Sequence, residues 1–505
     1  MIDHFIILPV LVHMLTAIVA IFFWQKINIQ RVISVVGSSA GLVLAWELFL
    51  KTSESGILTM QAGGWRAPFG ITFVSDAFSS ILVLLTGIVA FSVSLFSTAA
   101  VSTNRIKYGY FAIFHFLIMG LNGAFLTGDI FNLYVWFEIV IISSFVLMTL
   151  GGRKPQMEGA IKYVAMNMLA STIFLTAIGI LYGMTGSLNM ADLAGKVAQI
   201  ENRGLVNVTA LLFFLAFGIK SAVFPLYFWL PSSYHTPPSS IAALFGGLLT
   251  KVGIYAMFRI FTLIFVPDHF MMNLFVIVAI MTLATGALGA MSKNSMRRMF
   301  SYLIVCHIGY FIVGLGLFTE IAIAGAIFYL IHDIVVKTNL FLVSGVIYKA
   351  RGSTDLRRLG GFYKDYPKLS ILFAIVLFSL AGIPPLSGFW PKINLFLAAL
   401  TANSLILILT LIFASFITLY LIAKIWLEVF WKSLPKGDIE KGDEFEALPK
   451  EKKLMLILPV VSLAAVSLFI GFGAEYVMQI SQHIAKEMID TQPYINAVLG
   501  NRLPK

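Results

Sequence analysis

Apolar runs of about 20 residues recur from one end of this chain to the other, and a helix of that length spans the hydrocarbon core of a bilayer. The composition agrees, because 59% of the 505 residues are hydrophobic and only 12% are charged. Backbone polar groups inside a bilayer must be paired within the chain, which leaves helices as the spanning elements here. The sequence therefore predicts an all-α polytopic membrane protein rather than a soluble domain.

We predict fourteen transmembrane spans, numbered in chain order. Their approximate bounds are 4–24, 32–51, 72–98, 108–127, 129–150, 159–185, 206–230, 239–262, 270–291, 300–317, 321–348, 368–399, 403–430 and 453–475. Residues 186–205 predict a short surface helix, and residues 431–453, rich in both signs of charge, predict a solvated loop. The N-terminus has no basic region or small-residue cleavage site, so the first span is expected to be retained.

Lysine and arginine concentrate in one alternating set of loops. That set includes Lys26, Arg31, Arg105, Arg153, Lys154, Arg297, Arg298, Lys349, Arg351, Arg357 and Arg358. Basic residues mark cytoplasmic loops, so both termini are predicted on the outer side of the cell membrane. The same rule explains the net charge of +11, and no nucleic-acid partner is predicted. The single cysteine, Cys306, excludes an internal disulfide.

Two lysines stand near the middle of spans 7 and 8. They are Lys220 and Lys251, and Pro225 follows the first of them within the same span. A charge at bilayer depth is costly and marks a functional site by default, although a lysine can also snorkel to the surface. Pro225 is expected to interrupt span 7 where a polar cavity re-satisfies the backbone. These features predict an ion or proton path.

Span 5 carries one carboxylate, Glu138, about midway along its length. Beside a lysine such a group can ionise, and its charge then controls whether the lysine holds its proton. The alternative is an inert hydrogen bond between helices. Because intramembrane carboxylates are rare, we favour a functional role for Glu138 as a partner of Lys220.

Three ionisable residues cluster in span 11. His332, Asp333 and Lys337 lie within six residues, and the spacing of Asp333 and Lys337 predicts a pair on one helix face. His332 points away from Lys337 on an ideal helix, and only a π-bulge would bring the two closer. The unperturbed pKa of histidine suits proton transfer near neutral pH. A proton relay is therefore expected here.

Span 12 repeats the pattern of span 7. Pro384 and Pro385 must interrupt the helix, and Lys392 follows the break. Interrupted helices in two halves of a chain indicate a duplicated, inverted unit. We predict one repeat over spans 4–8 (108–262) and a second over spans 9–13 (270–430), between N-terminal helices 1–107 and a C-terminal region 431–505. His307 in span 10 would then correspond to Glu138.

Other polar residues carry weaker predictions. Asp76, near the start of span 3, is either a support for the relay or a solvated surface group. Lys162 and Arg259 are expected to snorkel, and Lys424 and Glu428 to form a local salt bridge. His307 and Asp333 are further candidates for relay or support. Nothing in the sequence predicts a metal site, a cofactor motif or catalytic residues.

Four segments carry a family resemblance. They are GDIFNLYVWFEI (128–139), FPLYFWLPSSYHTPPSSIAALFGGLLTKVGIY (224–255), HDIVVKTNLF (332–341) and GIPPLSGFWPK (382–392). Nearly the whole chain resembles the antiporter-like subunits shared by Mrp-type multi-subunit cation/proton antiporters and respiratory NADH–quinone oxidoreductase. The first two segments are most similar to the D subunits of the Mrp antiporters. The resemblance implies fourteen helices, inverted five-helix repeats and breaks in helices 7 and 12.

The resemblance also implies roles for single residues. Glu138 and Lys220 match the carboxylate and its lysine partner, and Lys251 and Lys392 match relay lysines. His332 and Lys337 match the positions that link the two halves. The implied function is proton translocation in a hetero-oligomeric Na⁺/H⁺ antiporter, with H⁺ and Na⁺, other subunits and the lipid bilayer as partners.

Two alternatives to that function stay open at the level of sequence. One places the same module in a proton-pumping oxidoreductase, such as a respiratory or hydrogenase complex. The other is a scaffold subunit whose buried charges are inert.

Overall fold

The computed structural model describes residues 3–435 and 444–500, and most of them are helical. The N-terminal part contains Leu8–Phe22 (α1), Ile27–Ser55 (α2), Ala77–Ala100 (α3), Thr103–Lys107 (α4), Tyr110–Leu126 (α5), Ile130–Thr149 (α6), Lys154–Thr185 (α7), Met190–Ala198 (α8), Arg203–Ser221 (α9) and Trp229–Ser233 (α10). Helix α8 lies within residues 186–205, where a short surface helix was predicted.

The rest of the described chain is also largely helical. They are Ser239–Leu244 (α11), Thr250–Leu263 (α12), His269–Met291 (α13), Met296–Leu317 (α14), Glu320–Arg351 (α15), Phe362–Asp365 (α16), Pro367–Ala381 (α17), Phe389–Thr401 (α18), Leu405–Trp426 (α19), Lys450–Phe472 (α20), Ala474–Ile489 (α21) and Gln492–Leu499 (α22). A π-helical turn, Phe245–Leu249, joins α11 to α12, and a second one, Leu427–Trp431, follows α19.

Twelve helices in the described part of the chain are long and apolar enough to cross a membrane. Two further apolar helices, α5 and α17, are shorter than the rest. The outer helices turn apolar side chains outward, as expected where lipid is the solvent: only 33% of the most apolar stretch of α2 is buried, against 94% for α15. Helix α15 and the segment Ser239–Leu263, which is 100% buried, therefore form the buried axis of the molecule. Helices α14, α18, α20 and α21 pack against α15.

Glycines allow the axis to be approached closely. A Cβ on Gly246 would lie 2.6 Å from Cε2 of Phe341, and one on Gly247 would overlap Thr338 on α15. A Cβ on Gly309 of α14 would lie 2.6 Å from Leu283 of α13. Small residues at these crossings bring helix backbones together without a side chain between them. Gly246 and Gly247 therefore allow the backbone around them to lie close against α15.

Two helices are interrupted near the predicted prolines. Helix α9 ends at Ser221, Ala222 is left-handed with φ of 61°, and helical structure resumes at Trp229 beyond Pro225. Helix α17 ends at Ala381, Gly382 has φ of 81°, and α18 begins at Phe389 beyond Pro384 and Pro385. Proline removes a backbone donor and clashes with the preceding turn, so each break falls where the sequence demands it.

Tryptophan side chains donate hydrogen bonds to backbone carbonyls near each break. The indole of Trp229 donates to the carbonyl of Ile219 across the first break, at 3.0 Å. The indole of Trp390 donates to the carbonyl of Gly471 in α20, at 2.9 Å. These tryptophans therefore satisfy carbonyls near the breaks.

The predicted start of span 3 at residue 72 is wrong. Residues Thr72–Ser75 (β2) form a short antiparallel pair with Leu58–Gln61 (β1), so α3 begins only at Ala77. Asp76 caps that helix: its carboxylate accepts the N–H of Ser79 at 2.8 Å, while the Ser79 hydroxyl accepts the N–H of Asp76.

The C-terminal region differs from the tail that the sequence predicts. Helices α21 and α22 follow α20, and α21 packs against α15 and α12. Its apolar face carries the buried residues Val477, Ile484 and Met488, which explains why it docks on the helix bundle. Residues 436–443 of the predicted loop 431–453, and the last residues 501–505, lie outside the described residues.

Candidate functional site

A buried ion pair joins α12 to α15 at the centre of the molecule. The Nζ of Lys251 lies 2.8 Å from Oδ2 of Asp333, and both side chains are completely buried. The Nζ also donates to the carbonyl oxygen of Gly246 at 2.7 Å, inside the π-helical turn. A π-turn departs from the regular i→i−4 ladder and is frequent at functional sites. Lys251 is thus held by one carboxylate and one backbone dipole.

The other oxygen of Asp333 binds a third helix. Nδ1 of His307, on α14, lies 2.7 Å from Oδ1 of Asp333, and both side chains are fully buried. A buried charge is stable only when its lone pairs and protons find partners. Asp333 meets that requirement by taking one partner from each neighbouring helix, so it forms the hub of the cluster.

The predicted pair between Asp333 and Lys337 is wrong. The oxygens of Asp333 are directed to Lys251 and His307, which approach from α12 and α14. The Nζ of Lys337 is buried and has no hydrogen-bond partner among the described residues. Helix α15 is α-helical throughout, so no π-bulge brings Lys337 toward His332. An ammonium group without a partner is the least stably charged member of the cluster.

His332 leads away from the hub toward the second break. Its Nδ1 lies 2.8 Å from Oγ of Ser387, in the segment between α17 and α18. The Ser387 hydroxyl lies 2.9 Å from that of Ser467 on α20, and Ser467 in turn donates to Ser379 at 3.2 Å. The sequence did not single out these serines. Ser387 lies inside the GIPPLSGFWPK segment, but nothing near Ser467 marks it.

Lys392 reaches back across the second break. Its Nζ donates to the carbonyl oxygen of Ala381 at 2.9 Å and to that of Leu380 at 3.4 Å. These carbonyls end α17 and have no partner within their own helix. A cation at a helix carboxyl end also interacts favourably with the helix dipole. Lys392 and the phenol ring of Tyr310 line a cavity of about 390 Å³ beside the break.

Lys220 and Glu138 are not in ion-pair contact within the described part of the chain. The Nζ of Lys220 donates to Oγ of Ser171 at 3.2 Å and lies 4.8 Å from the centre of the Phe137 ring. Oε1 of Glu138 has no hydrogen-bond partner there. A cavity of about 20 Å³ adjoins Lys220, which is room for about one water molecule. The two groups can influence each other through space but are not bonded.

Asp76 is buried rather than solvated, so the surface alternative for it is wrong. Its Oδ2 lies 2.5 Å from Nη2 of Arg259, and the guanidinium lies over the rings of Tyr255 and Tyr494. Arg259 does not snorkel either, being 7% exposed. Helix α12 places Lys251, Tyr255 and Arg259 four residues apart on one face, and this spacing was the available signal.

Glu487 of α21 joins the Asp76 cluster from the membrane surface. Its Oε2 accepts the N–H of Ala77 at 3.3 Å, next to the capped end of α3. Burial, with the nearby charge of Asp76, raises the pKa of Glu487 to about 7. This carboxyl was not singled out in the sequence, because only the packing of α21 against α3 and α12 brings it there.

Two minor predictions have different outcomes. Lys162 pairs with Glu158 at 2.6 Å on an exposed helix surface. The predicted pair of Lys424 and Glu428 is wrong, because Glu428 pairs with Lys432 at 2.9 Å. The π-helical turn Leu427–Trp431 changes the helical register at this point.

Comparisons with known proteins identify the family of the chain. Residues 127–418 match the family described as NADH:quinone oxidoreductase/Mrp antiporter, transmembrane. The D subunit of the Na⁺/H⁺ antiporter from Alkalihalophilus pseudofirmus is 43% identical over 98% of this chain and 99% of its own. The D subunit of the Na⁺/H⁺ antiporter from Bacillus subtilis is 38% identical over 98% of this chain and 99% of its own.

Solved structures show the same architecture. A chain in the Mrp complex from Dietzia sp. superposes with a TM-score of 0.91 at 30% identity, covering 99% of this chain and 100% of that one. A chain of an archaeal membrane-bound sulfane sulfur reductase gives a TM-score of 0.87 at 25% identity, covering 97% and 99%. The family expected from the four sequence segments is confirmed: this chain belongs to the NADH:quinone oxidoreductase/Mrp antiporter transmembrane family.

Proposed function

We propose that this chain is the proton-translocating subunit of a hetero-oligomeric Na⁺/H⁺ antiporter in the cell membrane. The observation that carries the proposal is the fully buried cluster of Lys251, Asp333 and His307. Buried ion pairs contribute little to the stability of a fold compared with apolar packing, so stability alone does not explain this cluster. Ionisable groups at this depth mark proton paths. The names of the relatives, and the solved Mrp complex, support other membrane subunits as partners and Na⁺ as the exchanged ion.

Protons move by successive protonation of Lys220, Lys251, Lys337, His332 and Lys392. Lys251 is held in its charged form by its ion pair with Asp333, whereas Lys337 is in no ion pair and has no hydrogen-bond partner among the described residues. His332 and its serine chain connect this centre to the second break. Glu138 acts on Lys220 through space, so its charge state controls how firmly Lys220 holds a proton.

The same proposal covers the arrangement in the membrane. The count becomes fourteen if α5 and α17 also cross the membrane. In this count, α9 and α10 together form one broken span, and α17 and α18 form another. Spans 4–8 and 9–13 form inverted repeats of five helices. We call the face at which α3 and α15 end and α7 and α14 begin the basic face. Its many Lys and Arg residues support an orientation with this face in the cytoplasm and both termini outside.

An oxidoreductase complex is the second candidate. The likeness to a chain of the membrane-bound sulfane sulfur reductase, an archaeal respiratory membrane complex, supports it. The composition of the purified native complex separates the two candidates. Small membrane subunits alone support the antiporter, whereas iron–sulfur or flavin subunits support the oxidoreductase.

Antiport by membrane vesicles that contain the whole complex tests the function. Lys220→Ala and Glu138→Ala are each expected to abolish Na⁺-driven proton movement at normal protein level. Matched controls are Lys196→Ala and Glu158→Ala, because both residues lie in exposed ion pairs. Normal antiport in Lys220→Ala, with unchanged assembly, would contradict the proposal and favour an inert scaffold.

A further inference from the structure

A cavity of about 310 Å³ opens on the basic face, away from the relay described above. The ends of α3 and α15 line it, together with α4, the beginnings of α7 and α14, and the segment 236–239. Four of its lining residues are cationic: Arg105, Arg153, Arg297 and Lys349. They come from four different helices or helix ends, so the fold rather than the local sequence brings them together.

The cavity has few counter-charges. Glu444 is the one acidic residue that lines it among the described residues. None of the four cations lies in an ion pair with a carboxylate in the described ranges 3–435 and 444–500, although Arg351 next to Lys349 does pair with Asp365. Burial and the neighbouring charge of Arg153 lower the pKa of Arg105. The cavity therefore has an excess of positive charge that an anion would relieve.

Hydrogen-bond donors are already held in place around the cavity. The Nε of Arg105 donates to the carbonyl of Leu150 at 3.0 Å, which fixes the guanidinium while other N–H groups remain. The guanidinium of Arg297 contacts Ser239, and its Nε donates to Ser344 at 3.3 Å. Fixing an arginine fork before the ligand arrives lowers the entropic cost of binding.

An unpartnered amide also lines the cavity. Gln156 is only 2% exposed, yet its Oε1 has no hydrogen-bond partner among the described residues. A buried acceptor without a partner costs free energy, and a bound molecule that brings a hydroxyl donor, as a protonated phosphate or a lipid headgroup with free hydroxyls does, can remove that cost. This observation is independent of the charges and indicates that the cavity is built for an occupant.

We propose that this cavity binds a phosphate group. Arginine forks match phosphate oxygens in two-point contacts, and basic pockets between transmembrane helices at the cytoplasmic side hold lipid headgroups. Phe96, Ala100 and the half-exposed Tyr348 supply an apolar wall beside the charges. The phosphate belongs either to an anionic phospholipid headgroup or to a free phosphate ion.

The cavity is lined by residues that are connected to the two helices of the central ion pair, α12 and α15. Ser239 begins the segment that leads through α11 and the π-turn to Lys251, and Gly345 lies on α15, the helix of Asp333. A Cβ on Gly345 would lie 2.6 Å from that of Ser239, so the two helices touch beside the cavity. Binding there holds the basic-face ends of both helices without contacting the relay.

Binding to the whole purified complex tests the proposal. The probes are phosphatidylglycerol in phosphatidylcholine nanodiscs and, separately, inorganic phosphate in pure phosphatidylcholine nanodiscs. Bound lipid is measured by native mass spectrometry, and phosphate by equilibrium dialysis. The test variant is Arg153→Gln with Lys349→Gln. The matched control is Lys26→Gln with Arg31→Gln, which removes the same charge from the same face.

Affinity for one probe is expected to fall about tenfold or more in the test variant and to stay unchanged in the control. Loss confined to phosphatidylglycerol assigns the phosphate to a lipid headgroup, and loss confined to inorganic phosphate assigns it to a free ion. Equal binding by both variants, or binding of neither probe by the unmodified complex, overturns the proposal. Arg153→Gln alone, at an exposed position, serves if the double variant does not assemble.

Antiport by the test variant distinguishes this inference from the proposed function. Neither Arg153 nor Lys349 contacts a relay residue, so proton movement can persist while phosphate binding is lost. Loss of antiport in Lys220→Ala leaves the phosphate site intact.

Discussion

The two helix breaks use a lysine in different ways. Lys220 is part of the last turn of α9, before the break, and its ammonium donates to a single hydroxyl, Ser171. Lys392 lies beyond the second break and donates to two carbonyls at the end of α17. Both arrangements place positive charge at a helix carboxyl end, where the dipole favours it.

The difference indicates a division of labour. Both breaks have a matching backbone bond, from Val223 N–H to the carbonyl of Gly218 at 2.9 Å and from Ile383 N–H to that of Phe378 at 3.3 Å. Lys392 adds two further donors at its break, whereas the ammonium of Lys220 donates to a hydroxyl instead. Lys220 is therefore free to respond to Glu138 through space. In the proposed function, the first lysine senses charge and the second also supports the fold.

The largest effect is expected between the breaks, at Asp333. Asp333→Asn removes the counter-charge of Lys251 but keeps the shape of the side chain. Antiport is expected to fall about a hundredfold or more, because a positioned proton-transfer group contributes a factor of that order. Vesicle antiport at matched protein level measures it, with Glu158→Gln in an exposed ion pair as the control. Antiport within a few-fold of normal would show that proton movement does not depend on the counter-charge of Lys251.

The next effect separates the two break lysines by stability. Lys392→Ala leaves two carbonyl oxygens without their donor and is expected to lower the free energy of unfolding by about 1–3 kcal/mol. Lys220→Ala removes one contact to a hydroxyl and should cost less than about 1 kcal/mol. Thermal unfolding of the purified complexes compares them. Equal losses would show that the two breaks are held alike.

A smaller effect on antiport is expected from removing the serine hydroxyl that is hydrogen-bonded near each break. Ser387→Ala interrupts the chain from His332 to Ser467 and should reduce antiport about tenfold. Ser171→Ala removes only the hydrogen bond of Lys220, and a bound water can replace it in the adjoining cavity. We therefore expect less than a threefold change in vesicle antiport. The comparison would be reversed if Ser171→Ala were the more harmful change.

The smallest effect is expected at Glu487, away from both breaks. The pKa of this carboxyl is raised to about 7, so the folded state holds its proton more tightly than the unfolded state. Its contribution to stability is therefore lost as pH rises from about 4.5 toward 7, and above that the charged form is penalised. Glu487→Gln should raise the thermal midpoint at pH 8 and leave it unchanged at pH 4. A midpoint gain equal at both pH values would refute this.

The sequence was sufficient for features that lie along one helix. Proline chemistry located both breaks, and the rarity of intramembrane charge selected Lys251, Asp333 and His307 before any contact was known. The π-helical turn before Lys251 was not foreseen. It depends on close packing of Gly246 and Gly247 against α15 rather than on a local preference.

Pairing between helices could not be read from spacing. The i,i+4 rule assigned Asp333 to Lys337, but two neighbouring helices bring closer partners. Asp76 and Arg259 are 183 positions apart, and nothing in either local sequence connects them. The contacts of Ser467 could not be predicted from sequence either, because a serine hydroxyl in a helix ordinarily bonds the backbone of its own helix.

The hydrogen bonds of Lys392 couple its protonation to the structure of the second break. Its ammonium fastens α18 to the open end of α17, and the same group is proposed to carry a proton. Each proton that leaves takes away one donor hydrogen and the charge that the end of α17 attracts. The rigidity of the connection between α17 and α18 then changes each time Lys392 gains or loses a proton. The conformation of this break would therefore depend on the protonation state of Lys392.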